Sequence, residues 1–165
     1  MLQIQTQRLT LQQPTYDDRS QLVDLLGNFS VSQYLSNVPY PYTERDAHFW
    51  LTKTDRGKYN LGIFSNNLLI GGIGFSPKPD QFFELGYWLG INFWGQGYAT
   101  EACEGLLKYA KTKTPLRKFR ANVAQGNISS CKVLEKIGFR CVGEGSIHSL
   151  SKGKEVNTLI YTLNV

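Results

Sequence analysis

Residues 93–102 read FWGQGYATEA. Gly95 and Gly97 flank a glutamine just before a stretch with helical spacing. Glycine costs about 1 kcal/mol in a helix relative to alanine, but it accepts the backbone angles of tight turns. The pair therefore predicts a turn that opens a helix. Downstream, Ala99, Ala102, Cys103, Leu106, Leu107 and Ala110 recur at three-and-four spacing. This predicts a helix over about 98–113 with one buried face. The first amides of such a helix lack internal partners, and its dipole adds positive charge, so the turn is a physical anion site. The missing side chains let a phosphate approach.

Four readings of the turn compete, three with a ligand and one without. A P-loop needs Gly-x4-Gly-Lys-Ser/Thr, which the chain lacks. A dinucleotide fingerprint needs a third glycine, where Thr100 stands, and it belongs early in a parallel unit. The pyrophosphate of coenzyme A is the third candidate. A plain strand-to-helix turn is the fourth.

The flanking segments set the architecture. QRLTLQQP (7–14) alternates and stops at proline, reading as a first strand. TYDDRSQLVDLLG (15–27) has a Thr cap, early acids and a terminal Gly, reading as a helix. A short helix is expected over 31–35, and another in ERDAHFWLTKT (44–54) after the proline-broken loop NVPYPYT (37–43). YNLGIFS and NLLIGGIGF meet across Asn66-Asn67, residues that tolerate a hairpin turn. QFFELGYWLG (81–90) is a third strand before the glycine turn. LRKFRANVA is a strand, and NISSCKVLEKIGF (127–139) is a helix capped by Asn127 and stopped at Gly138. RCVGEGSIHSL and EVNTLIYTLNV read as an antiparallel pair joined through Lys152-Gly153-Lys154. The expectation is an α+β (α/β mixed) fold, a mixed and mostly antiparallel sheet with helices on both faces. The whole chain, 1–165, is expected to be a single domain.

Composition excludes several classes. With 41% hydrophobic residues the chain can bury a core without metal or disulfide staples. Cys103, Cys131 and Cys141 are an odd set without zinc spacing, and His48 and His148 have no ligand spacing, so no metal is expected. The N-terminal stretch has no signal-peptide pattern and no run is long enough to span a bilayer, which points to a cytoplasmic protein without a membrane partner. The net charge of +5 favours anionic partners. The densest basic set, Lys108 to Arg120, straddles a helix end where it complements the dipole. No aromatic-basic interleaving supports nucleic acid binding.

Taken together, YWLGINFWGQGYATEA (87–102) and NISSCKVLEKIGF (127–139) resemble the GNAT superfamily of acyl-CoA N-acyltransferases. The first is similar to its Gln/Arg-x-x-Gly-x-Gly/Ala motif through Gly97 and Ala99. The second matches its Asn-x-x-Ser…Glu-Lys-x-Gly-Phe helix through Asn127, Ser130, Glu135, Lys136, Gly138 and Phe139. The strand order fits the family, and QRLTL and VPYPYT resemble the branch of ribosomal-protein N-terminal (alanine/serine) acetyltransferases. Trp94 departs from the motif's Arg/Gln position, which would leave the phosphate to backbone donors.

The resemblance implies acetyl-CoA in a V between two splayed strands, with its pantetheine on the backbone of Tyr87, Trp88 and Leu89. The pyrophosphate would lie on Gly95, Gln96, Gly97, Tyr98, Ala99 and Thr100. An N–H near Leu89 would polarise the thioester carbonyl. Asn127 would cap its helix and contact the pantetheine. The acceptor would be a primary amine, of a protein N-terminus or a small molecule, attacking the thioester directly. An amine must be neutral to attack: an α-amine is roughly 10–15% neutral at pH 7, a lysine only a few hundredths of a percent. Glu84 is the candidate base through water, its carboxylate expected among apolar residues that would raise its pKa. Ser130 is the candidate acid for the leaving thiolate, with Tyr161 as a spare.

Cys131 has no histidine nearby in sequence and reads as a small buried thiol rather than a nucleophile. Glu101 and Glu104 fit a helix first turn. Tyr34, Tyr40, Tyr42, Phe49 and Trp50 read as core or as lining of an acceptor pocket. The alternative to an enzyme is a non-catalytic CoA-binding regulatory or interaction module. Glu84 and Ser130 favour the enzyme. Neither the acceptor nor the oligomeric state is legible in the sequence.

Overall fold

The computed structural model describes residues 2–53 and 57–165. The chain starts with a small hairpin, β1 (Gln3–Gln5) and β2 (Thr10–Gln12), where a single strand over 7–14 was expected. The Thr6 amide donates to the Leu9 carbonyl and folds the chain back before the alternation can run on. Helix α1 (Arg19–Leu26) follows a short 3-10 turn over Tyr16–Asp18. Thr15 and Asp18 form a capping box there, as the early acids suggested. The next short helix, α2 (Phe29–Ser32), begins earlier than expected because Asn28 caps it through the Ser30 amide. Thr43 and Asp46 cap α3 (Glu44–Thr52) reciprocally. Thr54, the last residue of that expected helix, lies outside the described residues.

Then come β3 (Leu61–Ser65), β4 (Leu68–Pro77) and β5 (Phe83–Leu89), an antiparallel series. Asn66 and Asn67 both adopt positive φ, 49° and 64°, the conformation that suits the right-handed twist of a tight hairpin. Helix α4 (Tyr98–Lys113) spans the expected range and returns the chain to β6 (Lys118–Ala124), which lies parallel to β5. A parallel neighbour requires such a crossover. Helix α5 (Ile128–Lys136) leads into β7 (Arg140–Ser149) and β8 (Lys154–Asn164).

The eight strands form one mixed sheet in the order β1-β2-β3-β4-β5-β6-β8-β7. Every described pairing is antiparallel except β5 with β6. Both faces carry helices. On one, Cys103, Leu106 and Leu107 of α4 and Leu134 of α5 pack on Ile63, Ile73, Leu85, Phe119 and Val123. On the other, Leu22 and Leu26 of α1 and Ala47 and Leu51 of α3 pack on Phe64, Leu69 and Trp88. Both clusters depend on the strand alternation that sends successive side chains to opposite faces.

The decisive irregularity is between β5 and β6. They are paired only at Phe83 with Phe119 and at Glu84 with Arg120. Beyond that point β5 runs on to Leu89 and β6 to Ala124 without pairing to each other. The sheet is split at its centre, and one edge of each strand faces the gap.

Candidate active site

Alternation assigns the backbone groups of β5. The Gly90 amide donates to the Ile70 carbonyl at 2.9 Å, so Gly90 faces β4. In an antiparallel ladder hydrogen-bonded and non-bonded pairs alternate. Trp88, paired with Gly72, therefore also points its amide and carbonyl at β4. A Cβ on Gly71 would lie 2.2 Å from the Trp88 carbonyl oxygen, which fits that orientation. Tyr87 and Leu89 turn theirs to the split. This corrects the expectation for Trp88, whose contribution is its side chain, packed on the α1–α3 face.

The Trp94 side chain is engaged with the preceding strand. Its indole Nε1 donates to the Leu89 carbonyl at 2.8 Å. The side chain thus folds back onto the strand, and of the Leu89 backbone groups the N–H is the one left facing the split.

The glycine turn has the geometry of an anion cradle. Gly95 and Gly97 have φ of 72° and 80°, a region that disfavours other residues. Gly97 is the N-cap of α4 and supplies no side-chain cap. The amides of Tyr98, Ala99 and Thr100 accordingly have no acceptor among the described residues. No atom comes within 4 Å of a Cβ built on Gly95. The Gln96 side chain turns away, donating from Nε2 to the Asn92 carbonyl.

Arg8, within the QRLTL stretch, has no role assigned by the sequence, yet it braces this turn. Its Nη1 donates to the Gln96 carbonyl at 3.0 Å, and its guanidinium lies over the Tyr98 ring at 4.5 Å. Its Nε donates to Glu101 at 2.7 Å, and Glu101 also accepts from the Thr6 hydroxyl and the Arg8 amide. Burial pushes the Glu101 carboxyl up, but these hydrogen bonds and the adjacent guanidinium outweigh it and hold the group below its ordinary value. A contact across 93 positions leaves no local signal, which is why sequence periodicity missed it.

The two proposed chemical groups flank the split from opposite faces. Tyr87 shares the α4–α5 face with Leu85 and Leu89, and its hydroxyl lies 2.7 Å from Ser130 Oγ. It also donates to the Ser130 carbonyl at 3.1 Å. Burial, with the nearby Cys103, pushes the Tyr87 phenol well above its usual range, so it remains neutral. Asn127 Oδ1 accepts from the Ser130 amide at 3.3 Å and caps α5. Tyr161 is 2% exposed and its hydroxyl donates to Glu135 at 3.1 Å. The Cys131 hydrogen bond, then burial and Glu135, hold its proton tightly. Its hydroxyl is committed to α5.

Glu84 lies on the other face with Trp88. Its carboxylate accepts from Asn122 Nδ2 at 2.6 Å and pairs with Lys78 Nζ at 3.0 Å. With its side chain 29% exposed, it meets water, an ammonium and an amide rather than the apolar surroundings expected. Cys131 is half-buried against the core. Among the described residues no cluster of three potential metal ligands occurs, and no helix is long and apolar enough to cross a membrane.

An open sheet split between two parallel strands, with bare amides of a helix start at its mouth, is the arrangement that the resemblance to acyl-CoA-dependent acyltransferases implies. Residues 8–140 match the acetyltransferase (GNAT) domain, and the chain belongs to that family of N-acetyltransferases. It is 25% identical to the uncharacterised N-acetyltransferase p20 of Bacillus licheniformis, over 96% of this chain and 93% of that protein. A GNAT-family acetyltransferase from Bacillus anthracis superposes with a TM-score of 0.86 at 23% identity, covering 99% of this chain and 98% of that one. RimL, a ribosomal L7/L12 alpha-N-protein acetyltransferase solved with coenzyme A, superposes with a TM-score of 0.83 at 19% identity, covering 99% and 98%. At these identities the structural likenesses establish the fold.

Proposed function

We propose that this chain transfers acetyl from acetyl-CoA to a primary amine, on a protein N-terminus or a small molecule, by direct attack on the thioester. The observation that carries this is the end of β5–β6 pairing after Glu84 and Arg120. It leaves a split with Glu84 on one face, the Tyr87–Ser130 pair on the other and the α4 amides at its mouth. The pantetheine pairs with the Tyr87 backbone, and the diphosphate takes the amides of residues 98–100.

The amine approaches on the Glu84 face. Glu84 takes its proton through a water, which matters most for amines that are mainly protonated near pH 7. The Leu89 N–H stabilises the developing oxyanion. The thiolate leaves toward Ser130. When Tyr87 donates to the Ser130 carbonyl, the serine hydroxyl donates to Tyr87. When Tyr87 turns its proton to Ser130 Oγ, the serine O–H is free to donate a hydrogen bond to the leaving thiolate, which takes its proton from solvent.

Thiol release from acetyl-CoA with a panel of amines tests the reading, alongside acetyl-CoA calorimetry on Gly97→Val. Turnover should appear with at least one amine, and Gly97→Val should weaken acetyl-CoA at least about tenfold, about 1.4 kcal/mol. Tight acetyl-CoA binding without turnover of any amine would favour a CoA-binding module instead. Unchanged affinity in a folded Gly97→Val protein would exclude the turn as the diphosphate site.

A further inference from the structure

One position on the Glu84 face of β5 is bare. Alternation puts Glu84, Gly86 and Trp88 on that face, from which the acceptor amine approaches. Gly86 is exposed in the middle of the strand, and its φ is not positive, so no turn requires a glycine there. Glycine inside a strand weakens it, and often marks a place where a ligand or another backbone comes close.

The chain itself does not come close. A Cβ built on Gly86 would meet no described atom within 4 Å. Two glycines of β4 on the same face behave differently. A Cβ on Gly72, the partner of Trp88, would lie 2.5 Å from the Trp88 indole Nε1. One on Gly74, the partner of Gly86, would lie 2.4 Å from Asn60 Oδ1 and 2.8 Å from the Tyr59 carbonyl oxygen. Those two glycines serve packing within the protein, whereas the space over Gly86 is left open.

Its surroundings are those of the reaction. Glu84 stands two residues toward the closed end of the split, about 7 Å along the strand. Its carboxylate is fixed by Asn122 Nδ2 at 2.6 Å and Lys78 Nζ at 3.0 Å. The register of Glu84 with Arg120, continued two residues, sets Asn122 across the split from Gly86. Trp88 stands on the other side, its indole laid over Gly72. Next in the chain, Tyr87 turns its backbone to the split, where the thioester lies in the proposed reaction. The way to it between the Glu84 and Trp88 side chains runs over position 86.

We propose that Gly86 is a specificity-determining residue for the acceptor: the carbon that bears the amine sits over it, and the missing side chain lets that carbon carry a substituent. The inference rests on acetyl transfer as the reaction. Primary amines substituted on the adjacent carbon fit this seat, with Glu84 in reach of the nitrogen through one water. A methyl group at position 86 takes the room of the substituent, and an isopropyl group takes the room of the carbon itself.

The test uses coenzyme A joined through S–CH2–CO to the amine of glycinamide or of alaninamide, so that binding is read without turnover. Calorimetry compares coenzyme A and the two conjugates on wild type, Gly86→Ala and Gly86→Val. Coenzyme A itself should bind all three proteins within about twofold. Gly86→Ala should weaken the alaninamide conjugate about three- to tenfold more than the glycinamide one, and Gly86→Val should weaken both at least about tenfold. The variants should melt at or above the wild-type temperature, since valine and alanine suit a strand better than glycine and no described atom blocks them. Conjugate affinities unchanged in Gly86→Val, or equal weakening of the two conjugates in Gly86→Ala, would overturn the proposal. So would coenzyme A weakened as much as the conjugates, which would put the pantetheine over position 86, or a lower melting temperature, which would show the space filled in the folded protein. Absence of transfer from acetyl-CoA to every amine would contradict the acetyl-transfer reading, while the conjugates would still decide what position 86 admits.

Discussion

The Tyr87 hydroxyl lies 2.7 Å from Ser130 Oγ and bridges the central strand of the sheet to the first turn of α5. Because Tyr87 has one proton and two acceptors on the same residue, it governs where the serine proton points. Ser130→Ala should lower kcat at least about tenfold with acetyl-CoA affinity little changed. Tyr87→Phe keeps the ring packing and should cost about three- to tenfold in kcat. The Tyr87 phenol is held neutral by burial, so it adds no titration limb below about pH 10. Steady-state kinetics with direct acetyl-CoA binding separates these effects. A wild-type kcat in both variants would remove the pair from the reaction.

Glu84 should act in the catalytic step as the acceptor of the amine proton. Glu84→Gln keeps the shape and the Asn122 contact but cannot accept a proton. It should slow the saturated rate by roughly 10²–10⁴-fold, and the loss should shrink toward high pH as the amine deprotonates unaided. If Glu84 only attracts a cationic acceptor, KM should rise with kcat intact. Measuring both constants from about pH 6 to 9 distinguishes the two roles.

Arg8 braces the glycine turn from outside the motif. Arg8→Gln removes its bonds to Gln96 and Glu101 and should weaken acetyl-CoA about three- to tenfold by loosening the cradle. The same network carries an acid dependence. Glu101 has a depressed folded pKa, so its stabilisation is present above the ordinary glutamate value and is lost as pH falls through the folded one. Melting curves at falling pH should show wild type losing more stability than Glu101→Gln. Unchanged affinity in Arg8→Gln would confine Arg8 to a structural role.

Thr158 is fully buried, and its Oγ1 has no hydrogen-bond partner among the described residues. An unsatisfied buried hydroxyl costs about 1–3 kcal/mol, and valine suits a central strand. Thr158→Val should raise stability by about 1 kcal/mol, or about 2–4 °C in Tm for a domain of this size. A lower Tm would show that the hydroxyl is satisfied in the folded protein.

Local chemistry made much of this fold legible. The α4 range followed from alanine and leucine spacing, the Asn66-Asn67 hairpin from tolerance of positive φ, and the α5 start from the Asn127 cap. The N-terminal hairpin was missed because Thr6 and Leu9 fold back where the alternation gave no break. At the site, residue type pointed to the glycine turn, Glu84 and Ser130. Their partners Lys78, Asn122, Tyr87 and Arg8 come together through tertiary folding, where sequence spacing carries no information. The assignment of Trp88 failed for a related reason: which strand edge a backbone group faces depends on register, and register is set by the neighbouring strand.

The central claim is that the β5–β6 split is the acetyl-CoA site, and a crystal structure with coenzyme A tests it most directly. The pantetheine should run along the split beside Tyr87 and Leu89, with the diphosphate on the amides of residues 98–100. The sulfur should lie within hydrogen-bonding reach of Ser130, directly or through one water. A diphosphate bound away from the α4 start, or a sulfur remote from both Ser130 and the split, would contradict the account.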